Sequence, residues 1–271
     1  LATWTERSNP ENTLLQSVIW IGSRWVAVGG LSGVQAYAYI LNSSDGITWT
    51  QRSNPKNFQL NDLAYNGIII VAVGNADGTD AYIITSQDGK NWTEQANPKN
   101  FALNGVVWTG DLFVAVGAAD GTDAYIVTSP DGITWTERVN ANNFTLNSVE
   151  WNGSLLVAVG AADGIDAYVL TSSDGITWTE QANPKNFALT DVRWNGKIFT
   201  AVGAADGTDA YIVTSSDGAT WSEQTNPKNF GLNAVIWDGV YFVAVGAADG
   251  TDAYLVTLDY DQNYVLGAHY W

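Results

Sequence analysis

A repeat constrains this chain more than any other feature. The pattern A-Y-(apolar)2-(T/N)-S-x-D-G-x-(T/N)-W begins at Ala38, Ala81, Ala124, Ala167 and Ala210. Its Asp-Gly pairs, at 45–46, 88–89, 131–132, 174–175 and 217–218, recur every 43 residues. The following Trp keeps step at Trp49, Trp92, Trp135, Trp178 and Trp221, and a sixth copy stands at Trp4. A fixed period of this length means that each unit is one supersecondary motif, which buries its apolar surface only by stacking on its neighbours. Asp-Gly between two apolar-rich runs also predicts a tight hairpin, because such a turn needs positive φ at its centre.

Each unit reads as four short strands. Over residues 101–138 the pattern predicts strands at Leu103–Trp108, Leu112–Val116, Ala124–Ser129 and Ile133–Arg138, with a loop over Gly117–Asp123 between the second and third. None of these runs has the length or the 3.6-residue period of a helix, and Val, Thr and aromatic residues favour strand. The second-strand motif occurs six times, at 25–30, 70–75, 113–118, 156–161, 199–204 and 242–247. The expected fold is therefore all-β, a six-bladed β-propeller with four antiparallel strands per blade. Small residues in V-A-V-G are expected to let neighbouring blades approach. The aromatic residue ending each first strand (Trp20, Tyr65, Trp108, Trp151, Trp194, Trp237) is expected to fill the wedge between blades.

Ala2–Arg7 (ATWTER) reads as a fourth strand with no preceding three, whereas the last unit stops at Thr257. Residues 2–7 are thus expected to complete the last blade of a propeller spanning 1–257, leaving 258–271 as a tail and no open sheet edge. The tail offers a rival, since Tyr264 falls 43 residues after Trp221. The first unit is an outlier: its loop over 29–37 is longer and lacks aspartates, and Glu11 and Thr13 stand where other units mostly have Lys and always Phe.

The turn sequence, as in Ser172-Ser173-Asp174-Gly175-Ile176-Thr177-Trp178, resembles the Asp-box, or bacterial neuraminidase repeat, of many propeller blades. Here Gly follows Asp directly, so the turn is one residue shorter than the usual box. The resemblance implies a propeller. It also implies that Asp45, Asp88, Asp131, Asp174 and Asp217 are turn formers, their carboxylates bonded to nearby backbone amides, on the face away from any active site. Similar D-G-I-T-W repeats occur in bacterial surface and phage fibre proteins.

Composition narrows the chemistry. A net charge of −17 repels polyanions, so nucleic acid and anionic membrane surfaces are poor partners. No apolar run nears 18 residues, which argues against membrane insertion. The absence of Cys excludes disulfides and thiolate metal sites, and the absence of Met suggests a fragment or a processed chain. Thirteen Trp and twelve Tyr belong mainly to the repeated cores, with some available as carbohydrate platforms.

A catalytic set is hard to assemble. The sole histidine, His269, sits in the tail, and of the arginines only Arg193 lies on a first strand. A glycosidase needs two acids roughly 5 to 9.5 Å apart around one sugar. Glu150 breaks the repeat on a first strand, where its equivalents are Val107, Arg193 and Ile236, and it is expected to face Arg193 of the next blade as an ion pair. No enzyme activity is expected.

The loops between second and third strands and the connections from fourth to first strands emerge at one end of each blade. The former read G-x-A-D-G-(T/I)-D-A-Y and supply Asp77 and Asp80, Asp120 and Asp123, Asp163 and Asp166, Asp206 and Asp209, and Asp249 and Asp252. The latter read N-P-K-N-F and supply, among others, Lys99, Asn100, Lys185 and Asn186. Acceptors, amide donors and an aromatic face suit sugar hydroxyls. The leading expectation is a lectin- or adhesin-like protein of a cell or virion surface, binding a glycan or surface polymer through repeated weak sites. A scaffold for protein partners, with these loops purely structural, is the alternative; a glycosidase is a third. No cofactor is expected beyond weakly held Ca²⁺, since Asp-x-x-Asp alone falls short of the ion's 6–8 oxygens.

Overall fold

The computed structural model describes residues 5–8, 10–11, 13–31, 37–248 and 253–259. The first sheet comprises β1 (Leu15–Trp20), β2 (Trp25–Leu31), β3 (Tyr37–Ser43) and β4 (Thr50–Arg52). The second holds β5 (Leu60–Tyr65), β6 (Ile70–Ala76), β7 (Ala81–Ser86) and β8 (Thr93–Gln95), and the third β9 (Leu103–Trp108), β10 (Phe113–Ala119), β11 (Ala124–Ser129) and β12 (Thr136–Arg138). The fourth holds β13 (Leu146–Trp151), β14 (Leu156–Ala162), β15 (Ala167–Ser172) and β16 (Thr179–Glu180). The fifth holds β17 (Leu189–Trp194), β18 (Phe199–Ala205), β19 (Ala210–Ser215) and β20 (Ser222–Glu223). The sixth has β21 (Leu232–Trp237), β22 (Tyr241–Ala248) and β23 (Ala253–Asp259). Each sheet runs in sequence order, and there is no helix among the described residues. This is an all-β, six-bladed β-propeller. The strand expected to complete the last blade falls partly on residues 1–4, outside the described residues, and the tail 258–271 is described only to residue 259.

The chain forms two compact bodies, Leu1–Ala115 with Val127–Glu137, and Val116–Ile126 with Arg138–Trp271. In the first, β1 and β2 pack on β5, and β5 and β6 on β9. In the second, β13 and β14 pack on β17, and β17 and β18 on β21. Middle strands are covered on both faces, which is why β7, β11 and β15 are buried from end to end and read as continuous apolar runs. Among the largest buried side chains are Tyr82, Tyr125, Tyr168 and Tyr211, one per blade at the second position of the third strand.

The Asp-Gly turns depart from a two-residue hairpin. Thr171 pairs with Thr179, so the loop between β15 and β16 is wide. Asp174 Oδ1 accepts hydrogen bonds from the Ile176 and Thr177 amides, at 2.8 Å each, and the Gly175 amide donates to Ser172 Oγ at 2.9 Å. Those amides are spent on side chains, so the fourth strand shrinks to residues 136–138 in the third blade instead of the expected 133–138. Gly132 keeps the positive φ, 73°, that the motif demands. The second strand begins at Phe113, not Leu112, because the Leu112 amide and carbonyl are held by Thr109 in the preceding turn.

The glycine of V-A-V-G serves its own blade, contrary to the expected blade-to-blade role. A Cβ on Gly160 would lie 2.0 Å from the Thr145 carbonyl oxygen. That carbonyl accepts from the Ala161 amide at 2.8 Å, at a register shift between Leu146 and Ser148 that only a residue without a side chain accommodates. The aromatic residues ending the first strands lean on their own second strands, Trp194 on Phe199 and Trp237 on Phe242, with ring centroids 4.5 and 4.9 Å apart. They also pack against core clusters shared with the preceding blade, as the wedge reading expects.

Candidate binding rim

Blade 5 shows how one loop is built. Asp206 Oδ1 accepts from the Thr208 and Asp209 amides at 2.8 and 3.0 Å, closing the Asp-Gly-Thr-Asp turn. Its other oxygen meets Lys185 Nζ at 2.6 Å, and the same ammonium bonds Glu223 of β20. The side chain of Asp206 is 1% exposed. The Lys185 ammonium and the Asp209 amide hold its carboxyl down at about 2, and the two acids raise the affinity of Lys185 for its proton. The first body repeats this arrangement with Lys56, Asp77 and Glu94. Burial alone would raise the Asp77 carboxyl, but Lys56 and the turn amides outweigh it and hold it low.

The second aspartate of each loop faces the connection that follows. Asp80, Asp123, Asp166 and Asp209 are buried and accept the amide of Asn97, Asn140, Asn183 and Asn226, at 3.0, 2.9, 2.9 and 2.9 Å. Burial raises the Asp80 and Asp166 carboxyls, against the pull of those amides. The asparagines then reach across to the next blade. Asn140 donates to the Ala124 carbonyl at 2.7 Å and accepts from the Tyr168 hydroxyl at 2.8 Å; Asn226 does the same with Ala210 and Tyr254, at 2.7 Å each. Buried tyrosines are pushed up accordingly, Tyr168 to about 12, chiefly by burial.

In blades 2 to 5 the structure therefore brings the expected residues together, loop against connection, at one end of the blade. The remaining members fit the scheme. Asp120 and Asp163 close their own turns, accepting from the Thr122 and Ile165 amides at 2.8 and 2.7 Å. Lys99 pairs with Glu137 at 2.5 Å. Asn100 and Asn186 accept from the Gly78 and Gly164 amides at 3.0 Å each. Asp249 and Asp252 lie outside the described residues. Sequence reasoning missed the junction asparagines, Asn97, Asn140, Asn183 and Asn226, and the acids Glu94 and Glu223. The signal was available: each junction Asn follows the Ala of its blade's A-Y motif by a fixed 16 residues.

Carboxylate oxygens of Asp77, Asp80 and Glu94 lie within 4.8 Å of one another, as do those of Asp206, Asp209 and Glu223. In both groups a lysine ammonium already supplies the positive charge, which weakens the case for Ca²⁺ there. Glu150 lies 3.6 Å from Arg193, as expected for an ion pair, and Arg193 also meets Asp191 at 3.1 Å. Asp191 in turn accepts from Ser148 Oγ at 2.7 Å and the Val235 amide at 3.0 Å, tying three successive blades together.

No family model and no curated protein matches the sequence. Among solved structures, a chain of the crystal structure of a nidogen/laminin complex is similar, with a TM-score of 0.55 and 13% identity, over 79% of this chain and 81% of that one. At that identity the likeness is one of fold, and it agrees with the β-propeller described above.

Proposed function

We propose that this chain is a non-catalytic binding propeller, lectin- or adhesin-like, that reads a glycan or another repetitive polymer on a cell or virion surface. The observation that carries the reading is a division of labour within each loop. The aspartates are turned inward to amides and lysine, while Asn57, Asn100, Asn143, Asn186 and Asn229 and the threonines Thr79, Thr122 and Thr208 are exposed at equivalent positions. Rigid, pre-ordered amide and hydroxyl groups in repeated copies suit weak single contacts multiplied by avidity. The contact residues are then these asparagines and threonines, with the aspartates as their support. The Ser-x-Asp-Gly-x-Thr-Trp turns serve as shortened Asp-boxes, holding the opposite end of each blade. The Glu150–Arg193 pair is read as structural, since Asp191 and Arg193 form one network with the neighbouring blades. No bound metal or cofactor is needed.

The test is a glycan array and titration, with and without Ca²⁺, on the chain and on a Thr79→Ala, Thr122→Ala, Thr208→Ala variant. Binding that falls by more than about tenfold, with the melting temperature unchanged, supports the reading. No binding to any glycan or surface polymer overturns it. One observation favours a protein partner as the second reading. Val139 and Ile165, 77% and 86% exposed, replace the smaller or polar residues of other blades at the same end of blade 4. Loss of a protein contact on Val139→Ser with Ile165→Thr would favour that alternative.

A further inference from the structure

Within the first body, the junction of blades 1 and 2 carries positive charge with no acid set against it. In blades 2 and 4 the residue just before the second strand is aliphatic and packs on the Asp-Gly turn of the next blade. A Cβ on Gly132 would lie 3.7 Å from Ile69 Cγ2, and one on Gly218 would lie 2.7 Å from Leu155 Cδ2. In blade 1 that position is Arg24, whose Cδ stands 3.5 Å from the same point on Gly89. Arg24 is half-buried, and its Nε is buried without a hydrogen-bond partner.

Two more blade 1 residues depart from the repeat at the same place. Asn42 stands where blades 2 to 5 have Thr85, Thr128, Thr171 and Thr214, and its Nδ2 donates to the Gly89 carbonyl at 3.0 Å. In blades 3, 4 and 5 the corresponding glycine carbonyl accepts from the indole of Trp135, Trp178 or Trp221, at 3.1, 3.2 and 3.0 Å. Trp92 lacks that bond, and its Nε1 is buried without a partner. Arg52 replaces the glutamine of blades 2, 4 and 5, whose amide donates to the threonine hydroxyl at 2.9, 3.0 and 3.1 Å. Arg52 instead donates to Asn42 Oδ1 through Nε, at 3.1 Å. Neither Arg24 nor Arg52 forms an ion pair among the described residues. Asp88, beside Gly89, commits its Oδ1 to the Lys90 and Asn91 amides at 2.8 and 2.9 Å.

We propose that Arg24, Arg52 and the Trp92 indole form a binding site for a small oxyanion, a carboxylate or phosphate group. Drawing a guanidinium out of water without a counter-charge is costly, and a stranded indole N–H adds to that cost. In a chain with 28 acidic residues against 11 basic ones, two arginines left without an acid call for a negative partner from outside. An oxyanion offers several acceptor oxygens to the fork of guanidinium donors, the match to which arginine is suited. The field of a net charge of −17 limits the ligand to one compact group and keeps polyanions away. The site lies at the turn end of the blades, opposite the loops of the binding reading above, and does not depend on it.

The melting temperature of the whole chain is followed against sodium acetate and, separately, sodium phosphate, with sodium chloride at matched ionic strength as the reference. A saturable rise beyond that in chloride is expected with at least one of the two. Acetate acting alone assigns a carboxylate, and phosphate acting alone a tetrahedral group. The Trp92 indole N–H, assigned by its loss in Trp92→Phe, should shift in proton–nitrogen correlation spectra with the same midpoint. That readout uses the unaltered chain, so it stands even where a variant folds poorly. Arg24→Leu and Arg52→Gln restore the residues of other blades. Each should raise the half-saturating concentration by at least about tenfold, the loss of one charge-assisted hydrogen bond. In chloride, Arg24→Leu should melt no lower than the parent. Equal responses to all three salts overturn the proposal. So does an Arg24→Leu chain that binds as tightly as the parent, or a Trp92 N–H that acetate and phosphate leave unmoved.

Discussion

Blades 4 and 5 share a backbone plan at their loop ends and differ in one charge. Blade 5 places Lys185 between Asp206 and Glu223, with the carboxyl of Asp206 drawn down to about 2. Blade 4 has Asn142 at the equivalent position, donating to Glu180 at 2.5 Å. Without the lysine, burial pushes the Glu180 carboxyl above its ordinary 4.5, and the negative charges of Asp163 and Asp166 add to the rise. The aspartate turn survives unchanged: Asp163 still accepts from the Ile165 and Asp166 amides at 2.7 and 2.9 Å. Turn geometry therefore comes from the aspartate and the amides, and the lysine acts as a neutralising charge laid over it.

The largest expected effects fall on what the two blades share. Asn140→Ala and Asn183→Ala each remove the donor to a backbone carbonyl and one acceptor of a tyrosine hydroxyl at a blade junction; the Tyr168 and Tyr211 hydroxyls keep their bonds to the next connection. Each should cost about 1–3 kcal/mol in chemical denaturation, similar in both blades. A clear inequality between them would show that the junction, and not just the charge, differs.

Exchanging the differing residue sharpens the comparison. Lys185→Asn should lower the melting temperature and raise the Asp206 carboxyl from about 2 toward or above its ordinary 3.8, followed by carboxyl-carbon NMR. The reciprocal Asn142→Lys should bring Glu180 down and stabilise by about 0.5–1 kcal/mol, the modest return of a partly exposed pair. The pH dependence has opposite signs in the two blades. Asp206, depressed in the folded state, contributes stability that is present above its unfolded value near 4 and is lost as pH falls toward 2. Glu180, raised in the folded state, favours folding below about 4.5 and loses that contribution as pH rises through its raised value. Asn142→Lys should erase the second slope and leave the first. An unchanged pH profile would mean that Glu180 is not the group responsible.

The sequence shows its architecture clearly because the fold is set by a period. Stacking requires the same apolar positions in every unit, so V-A-V-G, A-Y and the Trp fix blade count and most strand limits. What stayed hidden depends on hydrogen bonds with no period of their own. The wide Asp131 turn shortens β12 because two amides bond a carboxylate, which a run of β-forming residues does not reveal. The glycine of the second strand looked like a blade spacer, yet it answers to a bulge set by the residue before the first strand. At the loops, the sequence marked the segments but not the hydrogen bonds that their side chains make. Aspartates look like ligands for sugar hydroxyls, but burial of Asp123 and Asp209 to 3% and 5% exposure turns them into supports for the next connection.

That assignment is the centre of the account, and Asp209→Ala measures it most directly. Stability and ligand titration are followed on the same protein. The expected result is a loss of about 1–3 kcal/mol of folding free energy, from the stranded Asn226 amide, with any fall in binding no larger than the unfolding explains. Unchanged stability together with lost binding would make Asp209 a ligand contact and contradict the division between inward acids and outward asparagines and threonines.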